Sequence, residues 1–350
     1  MALDRSLARR ALRVVLTTRA VDERLWILAR QGRAGFVLTP RGHEVAQVLS
    51  AAAMRRGVDW AWLYYRDLGV GLALGVTPYE LFLSALARAD DPHSGGRQLS
   101  SHLSSPALRI GSVSSAVAAH VPHAVGTAYA SWVRGDDAVT MCWFGDGATS
   151  EGAVHEAMNL AGVHRLPVVF VCENNGWAIS VPVARQMAVP SFADRAAAYG
   201  MEGVVVDGCD AGAVFAASTA AVERARRGDG PSVVEVLVPR ITPHSSQDDD
   251  GYRSASEVAA AAALDPVVRL RAELVEAGIV TDDEVDALDG RVRNAVADAA
   301  ARAVEMPEPT RDRARQWLYA GDDPHRYRSE LDAAPPPPGV FADDPEVDHG

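Results

Sequence analysis

Apolar positions change their spacing along this chain, and the changes mark its elements. From Leu7 to Leu28 they recur at helical intervals (Leu7, Ala11, Val14, Val15, Ala20, Leu25, Leu28), predicting a helix over 3–31 that Gln31-Gly32-Arg33-Ala34-Gly35 ends. Residues 43–56 and 78–89 read as helices too, the second opened by Thr77-Pro78. From 90 to 115 Ser, Gly, His and Pro predominate without a period. A loop that long inside a compact domain is usually functional or without fixed structure. Between Val117 and Val238 the two periods alternate: helix 117–134, strand 138–144, helix 151–162, strand 167–172, helix 191–199, strand 203–207, helix 210–227 and strand 232–238. Near-continuous Val-rich strands alternating with helices predict an α/β fold, a doubly wound, mostly parallel sheet. A polar loop, Thr242 to Ser254, comes next, and helices follow. One of these opens on a capping box, Thr281-Asp282-Asp283-Glu284, ahead of Val285, Leu288, Val292, Val296 and Ala299. The expected division is an N-terminal helical segment (1–60), an α/β domain (61–255), C-terminal helices (256–332) and a Pro-rich acidic tail (333–350).

Ligands of such sheets bind beyond the carboxyl ends of the strands. Two of those ends carry hard oxygen donors. The strand ending at Phe144 runs into Gly145-Asp146-Gly147-Ala148-Thr149-Ser150-Glu151-Gly152, and the strand ending at Cys172 runs into Glu173-Asn174-Asn175. A glycine turn lets phosphates approach the backbone and a helix N-terminus. Asp and Asn oxygens suit Mg²⁺, which takes few protein ligands and completes its shell with phosphate and water. A dinucleotide site would need a third glycine where Ser150 stands, with an acidic residue about 20 positions on. The next strand instead ends in Asn-Asn. A nicotinamide-dependent dehydrogenase is therefore the more remote alternative.

Composition narrows the chemistry. The net charge of −12 argues against a general nucleic-acid binder. No run approaches the roughly 18 uninterrupted apolar residues of a membrane span, and the N-terminus lacks the apolar segment of a signal peptide, so a cytoplasmic location is expected. All 34 basic residues are arginine, which excludes the lysine of a pyridoxal Schiff base and of a P-loop. Cys142, Cys172 and Cys209 form no metal-binding spacing, and the first two read as buried thiols.

Gly-Asp-Gly with Asn-Asn one strand–helix–strand unit later is similar to the thiamine-diphosphate motif. The surrounding text, from Arg30-Gln31-Gly32-Arg33 through Tyr65-Arg66-Asp67, Gly96-Arg97-Gln98, Ser114-Ser115, Ile179-Ser180 and Arg240 to Tyr252-Arg253-Ser254, resembles the α subunit of the decarboxylating component of 2-oxo acid dehydrogenases. The resemblance implies thiamine diphosphate and Mg²⁺ as cofactors. Asp146, Asn175 and the backbone carbonyl of Trp177 would be metal ligands. Gly145, Gly147 and Ala148 would line the diphosphate with backbone, Tyr65 and Arg66 would bind its oxygens, and Ser115 would contact the cofactor. His244, in the loop after the last strand, matches an active-site histidine and would transfer protons or stabilise charge; His102 matches a histidine of another loop and would be a second active-site residue. His155 and His164 read as packing or surface groups, and His120 and His123 as surface.

The implied reaction is oxidative decarboxylation of a 2-oxo acid with acyl transfer to a lipoyl group on the acyltransferase component. The paired aspartates after His244 favour branched-chain substrates, with pyruvate or acetoin as the alternative, and Phe36 is a candidate pocket wall. With one sheet in view, activation of the cofactor's pyrimidine is expected from a β subunit in an α₂β₂ assembly. Two positions depart from relatives. Glu173 stands where branched-chain members can place Arg. Ala119 and His120 stand where potassium-binding members have a hydroxyl residue and an amide, so no structural K⁺ is expected. Ser245 matches a serine phosphorylated in some relatives but reads here as a polar loop residue.

Overall fold

The computed structural model describes residues 3–313; the tail read from 333 to 350 lies outside them. Ten α-helices and seven strands appear among these residues. The helices are α1 (Arg5–Arg30), α2 (Glu44–Ala51), α3 (Leu68–Leu74), α4 (Pro78–Ala85), α5 (His120–Arg134), α6 (Gly152–His164), α7 (Ala211–Arg226), α8 (Ala255–Ala263), α9 (Pro266–Glu276) and α10 (Asp282–Glu305). The strands are β1 (Trp60–Trp62), β2 (Thr140–Gly145), β3 (Val168–Asn174), β4 (Trp177–Ala178), β5 (Val181–Pro182), β6 (Glu202–Asp207) and β7 (Ser232–Leu237). Five strands form one parallel sheet in the order β1-β2-β3-β7-β6, and β4 and β5 form a small antiparallel ribbon. The chain advances from β1 to β3, jumps to the edge as β6 and returns as β7. That reversal beside β3 is where such sheets bind ligands.

Both faces of the sheet are covered, so its central strands alternate between two cores rather than between core and water. Met141, Trp143, Val169 and Val171 face a layer built from α1, α2, α3, α4, α7 and α10. Cys142, Phe144, Phe170 and Cys172 face α5 and α6. The indole N–H of Trp143 donates to Ser50 Oγ on α2 at 2.9 Å, so the largest core side chain leaves no orphan donor. The three cysteines are free and buried.

Local chemistry sets the helix starts. Asp4 caps α1 by accepting from Leu7 N at 2.9 Å. Thr77–Glu80, Ser254–Glu257 and Thr281–Glu284 form reciprocal capping boxes on α4, α8 and α10. The expected elements differ from the observed ones in a few places. The segment read as helix 191–199 is a 3₁₀ stretch, Ala193–Tyr199, that ends on Gly200 at φ +68°. The helices read over 43–56 and 78–89 stop at Ala51 and Ala85. β1 and α3 were not anticipated. His120, read as a surface group, is buried, and its Nε2 meets the Trp143 carbonyl at 2.8 Å. A carbonyl only accepts, so Nε2 carries the proton, and burial pushes the pKa of this ring down to about 4.

Two surface features bear on assembly. Among the described residues no helix is long and apolar enough to cross a membrane. Tyr129, Trp132 and Val133 of α5, and Leu160 and Val163 of α6, are exposed, with both aromatic rings against His164.

A buried ion cluster ties α1 to α2 and α9. Arg19 pairs with Glu44 at 2.6 Å and, through both terminal nitrogens, with Asp265 at 2.9 Å. Asp22, on the next turn of α1, is 1% exposed and has one carboxyl oxygen without a partner. Burial is the main cause that pushes its pKa up from 3.8 to about 7, and the Glu44 charge adds to it. The folded chain therefore holds this proton more tightly than the unfolded chain, and stability falls as pH rises from 3.8 through about 7. Asp22→Asn is expected to stabilise more at about pH 8 than at about pH 5, by roughly 2 kcal/mol in denaturant midpoints. An equal effect at the two pH values would contradict the assignment.

Candidate active site

Four adjacent strands deliver the site. β1 leads into Tyr65 and Arg66, β2 into Asp146, β3 into Asn175, and the segment after β7 carries Arg240 and His244. Tyr65 and Arg66 thus leave the sheet at the same edge as Asp146 because β1 pairs with β2 in parallel register, Trp62 against Cys142.

After β2 the chain turns tightly through a 3₁₀ stretch, Asp146–Ser150, before α6 begins. Asp146 is 1% exposed, and its Oδ2 accepts from Gln186 Nε2 at 3.0 Å. Burial raises its pKa, and hydrogen bonds from Gln186 and from the Asn175 backbone oppose that rise. Asn175 Oδ1 accepts from Trp177 N at 3.1 Å, at the start of β4. Gly147 faces β4 so closely that an added Cβ would stand 2.8 Å from Ala178 Cβ. The gap between turn and ribbon therefore admits backbone only at Gly147. Ala148 is buried, and Gly145 is half-buried beneath Tyr64.

The second half of the site surrounds His244. Arg66 is buried; its Nη1 donates to the Thr39 carbonyl at 2.6 Å and its Nη2 meets His244 Nδ1 at 3.3 Å. A guanidinium has only donors, so Nδ1 accepts and the ring proton sits on Nε2. Tyr65 packs edge-on against the His244 ring, with centroids 6.1 Å apart. Burial lowers the pKa of His244 to about 4, helped by Arg66 and Arg240 and opposed by Asp248. The ring is therefore neutral near pH 7.

The loop carrying His244 is fastened on every side. His244 N and the Tyr252 hydroxyl both donate to Asp248 Oδ2, at 2.8 and 2.6 Å. Arg240 reaches the Ile179 carbonyl and the Tyr252 hydroxyl, each at 2.8 Å, and stacks over the Trp177 and Tyr252 rings. Arg253 bonds Asp250 and the Arg240 and Thr242 carbonyls. Ser246 pairs with Val37 through both its backbone N–H and its hydroxyl, which holds half-buried Phe36 beside the loop. Arg240 and Tyr252 thereby join the Trp177 half of the site to the His244 half.

Two expected residues stand apart from this network. His102 is buried within its own loop, where Nδ1 meets the Ser100 carbonyl at 3.1 Å. Ser115 lies exposed ahead of α5. Sequence reasoning also passed over a buried polar cluster under the site. Glu173 Oε2 receives His43 Nδ1 at 2.7 Å, the Tyr64 hydroxyl at 3.0 Å and Gln47 Nε2 at 3.1 Å. Burial is the largest influence on Glu173 and opposes its charge, but His43, Asp67 and Gln47 together outweigh it and the pKa is lowered; burial and the Glu173 charge push Asp67 well up, so Asp67 holds the proton between them.

The donors fit a magnesium–diphosphate group. The Asp146 carboxylate and the Asn175 amide are hard oxygens at adjacent strand ends, and the Trp177 carbonyl belongs to the β4 ribbon that closes on the Gly147 gap. Among the described residues no group of three or more His, Cys, Asp or Glu could hold a metal ion.

Comparison with known proteins gives the same direction. The family model described as "Dehydrogenase E1 component" matches residues 12–312. This chain belongs to the dehydrogenase E1 component family. It is 43% identical over 309 residues to the 2-oxoisovalerate dehydrogenase subunit alpha of Bacillus subtilis (strain 168), covering 88% of this chain and 94% of that one. It is 40% identical over 297 residues to the 3-methyl-2-oxobutanoate dehydrogenase subunit alpha of Mycobacterium tuberculosis (strain ATCC 25618 / H37Rv), covering 84% and 78%. The pyruvate dehydrogenase E1 component subunit alpha of Rhizobium meliloti (strain 1021) is 36% identical over 302 residues, covering 86% of each. Membership in the family implies thiamine diphosphate, and relatives named as alpha subunits imply a β partner.

Proposed function

We propose that this chain is the α subunit of a branched-chain 2-oxo acid dehydrogenase. It would decarboxylate a branched 2-oxo acid and pass the acyl group to a lipoyl arm of the acyltransferase component. The observation that carries the reading is the meeting of Asp146 and Asn175 on adjacent strand ends beside the Gly147 gap. The names of the Bacillus and Mycobacterium relatives support the substrate class.

In this reading Asp146, Asn175 and the Trp177 carbonyl hold Mg²⁺, and Arg66 and Tyr65 bind diphosphate oxygens. Gly145 and Gly147 would keep side chains out of the diphosphate's path, and Ala148 would offer it backbone. When bound, thiamine diphosphate supplies the electron sink for loss of CO₂. His244, neutral and anchored through Nδ1, presents its Nε2 proton to the reacting end and can stabilise developing negative charge there. Phe36, held against the His244 loop, forms a wall of the substrate pocket. Ser115 and His102, which stand apart from the network around His244, would act only in an α₂β₂ assembly in which a β subunit completes the site. The exposed apolar surface of α5 and α6 fits a chain covered by others in its assembly.

The isolated chain is therefore expected to turn over no 2-oxo acid. Assembled with its β subunit, it is expected to prefer branched 2-oxo acids to pyruvate in kcat/KM. Robust turnover by the chain alone would overturn the subunit reading, and a preference for pyruvate would move the assignment to a pyruvate dehydrogenase.

A further inference from the structure

We infer that His43 is a positioning residue that orients the amide of Asn175 toward the metal, an inference resting on the reading of Asn175 as a Mg²⁺ ligand. His43 stands immediately before α2 and is wholly buried. Its ring bridges two positions of the β3 end. Nδ1 lies 2.7 Å from Glu173 Oε2 and Nε2 lies 3.4 Å from Asn175 Nδ2. An amide nitrogen offers only hydrogens, so the ring nitrogen facing it is the bare one. The proton then sits on Nδ1 and is donated to Glu173.

The other end of the same amide is pinned as well. Trp177 N–H donates to Asn175 Oδ1 at 3.1 Å, and a flipped amide would set two donors against each other there and leave Nε2 facing an oxygen it cannot bond. The side chain of Asn175 therefore has one orientation, with its oxygen turned to the side of β4, and a carbonyl oxygen that accepts one hydrogen bond keeps a lone pair for a cation. Glu173 is the anchor of this arrangement. Tyr64 and Gln47 converge on the same Oε2, so the acceptor for His43 is itself held in place. A histidine that fixes an oxygen ligand, and is fixed by a carboxylate behind it, follows the general logic of outer-shell control of metal sites.

The assembled α and β chains, with thiamine diphosphate present, provide the test. Mn²⁺ binding is followed by its electron paramagnetic resonance signal, and melting is followed without metal. His43→Leu is expected to weaken Mn²⁺ binding by about 10-fold to 100-fold. His43→Gln, which can still donate to Glu173 and accept from Asn175, is expected to restore most of it. Should His43→Leu fail to fold for want of a partner to Glu173, the double variant His43→Leu with Glu173→Leu removes the orphaned carboxylate and is expected to show the same loss. Wild-type Mn²⁺ affinity in the folded Leu variant, or no recovery in His43→Gln, would overturn the inference. Asn175→Ala separates the two ideas. If it too leaves Mn²⁺ affinity unchanged, the ligand reading itself falls; if it weakens binding while the His43 variants do not, only the positioning role falls.

Discussion

Asp146→Ala should abolish Mg²⁺-dependent binding of thiamine diphosphate. Asp146 is the one carboxylate in the proposed ligand set, and Asn175 and Trp177 offer only neutral oxygens. The residue is buried on a tight turn, and Gln186, its side-chain hydrogen-bond partner, is an amide that brings no charge. The loss should exceed the roughly 10-fold to 100-fold that removing an outer-shell partner costs, because a direct ligand and its charge both go. Asp146→Asn keeps one oxygen of the right shape and should fall between. Calorimetric titration of the assembled chains, with and without Mg²⁺, reads this directly. The decisive sign is a collapse of the difference between the two titrations in the alanine variant. An unchanged difference would remove Asp146 from the metal site.

Gly42→Ala should be among the most destabilising single changes in the chain. Gly42 has φ +99°, and a Cβ there would stand 1.9 Å from the Pro239 carbonyl oxygen and 3.2 Å from Ile241. Neither obstacle is the free end of a flexible side chain, so backbone must move. The segment that would move leads through Arg240 to His244 on one side and holds His43 on the other. The expected cost is on the order of 4 kcal/mol, at the upper end of single-site effects. Gly32→Ala is the control. It also has positive φ, +69°, but nothing lies within 4 Å of its added Cβ. It should cost only the conformational penalty, about 1 kcal/mol. Equal midpoints for the two variants in urea would refute the steric argument.

The central sheet was legible because buried parallel strands are written as near-continuous apolar runs, and β2, β3 and β7 are such runs, broken in β7 only by Glu235. The capping boxes were legible because their chemistry is local. β1 was missed because three residues, Trp60-Ala61-Trp62, are too few to show a period, yet this strand seats Tyr65 and Arg66. α3 was missed for the opposite reason. Leu68-Gly69-Val70-Gly71-Leu72-Ala73-Leu74 is buried on all sides, so it has no polar face, and its two glycines argue against a helix. His120 looked like a surface group because its burial depends on a carbonyl of β2, which no local pattern announces. The cluster around Glu173 left no signal at all, since His43 lies 130 residues away from its partner. Resemblance supplied the residues expected to touch the cofactor, but the groups that hold those residues were visible only in three dimensions.

Trp177 has a use separate from its carbonyl. Its indole lies beside the Tyr252 ring, 5.8 Å away, and under the Arg240 guanidinium, at the junction of the two halves of the site. An indole so placed is a built-in fluorophore, and its emission responds to the charge and polarity around it. The arrival of a doubly charged cation and a diphosphate would alter both within one residue of the ring. The order in which metal and cofactor enter the site can thus be followed optically with no label attached, as the part of the emission that is lost in a Trp177→Phe variant, since the chain holds seven tryptophans.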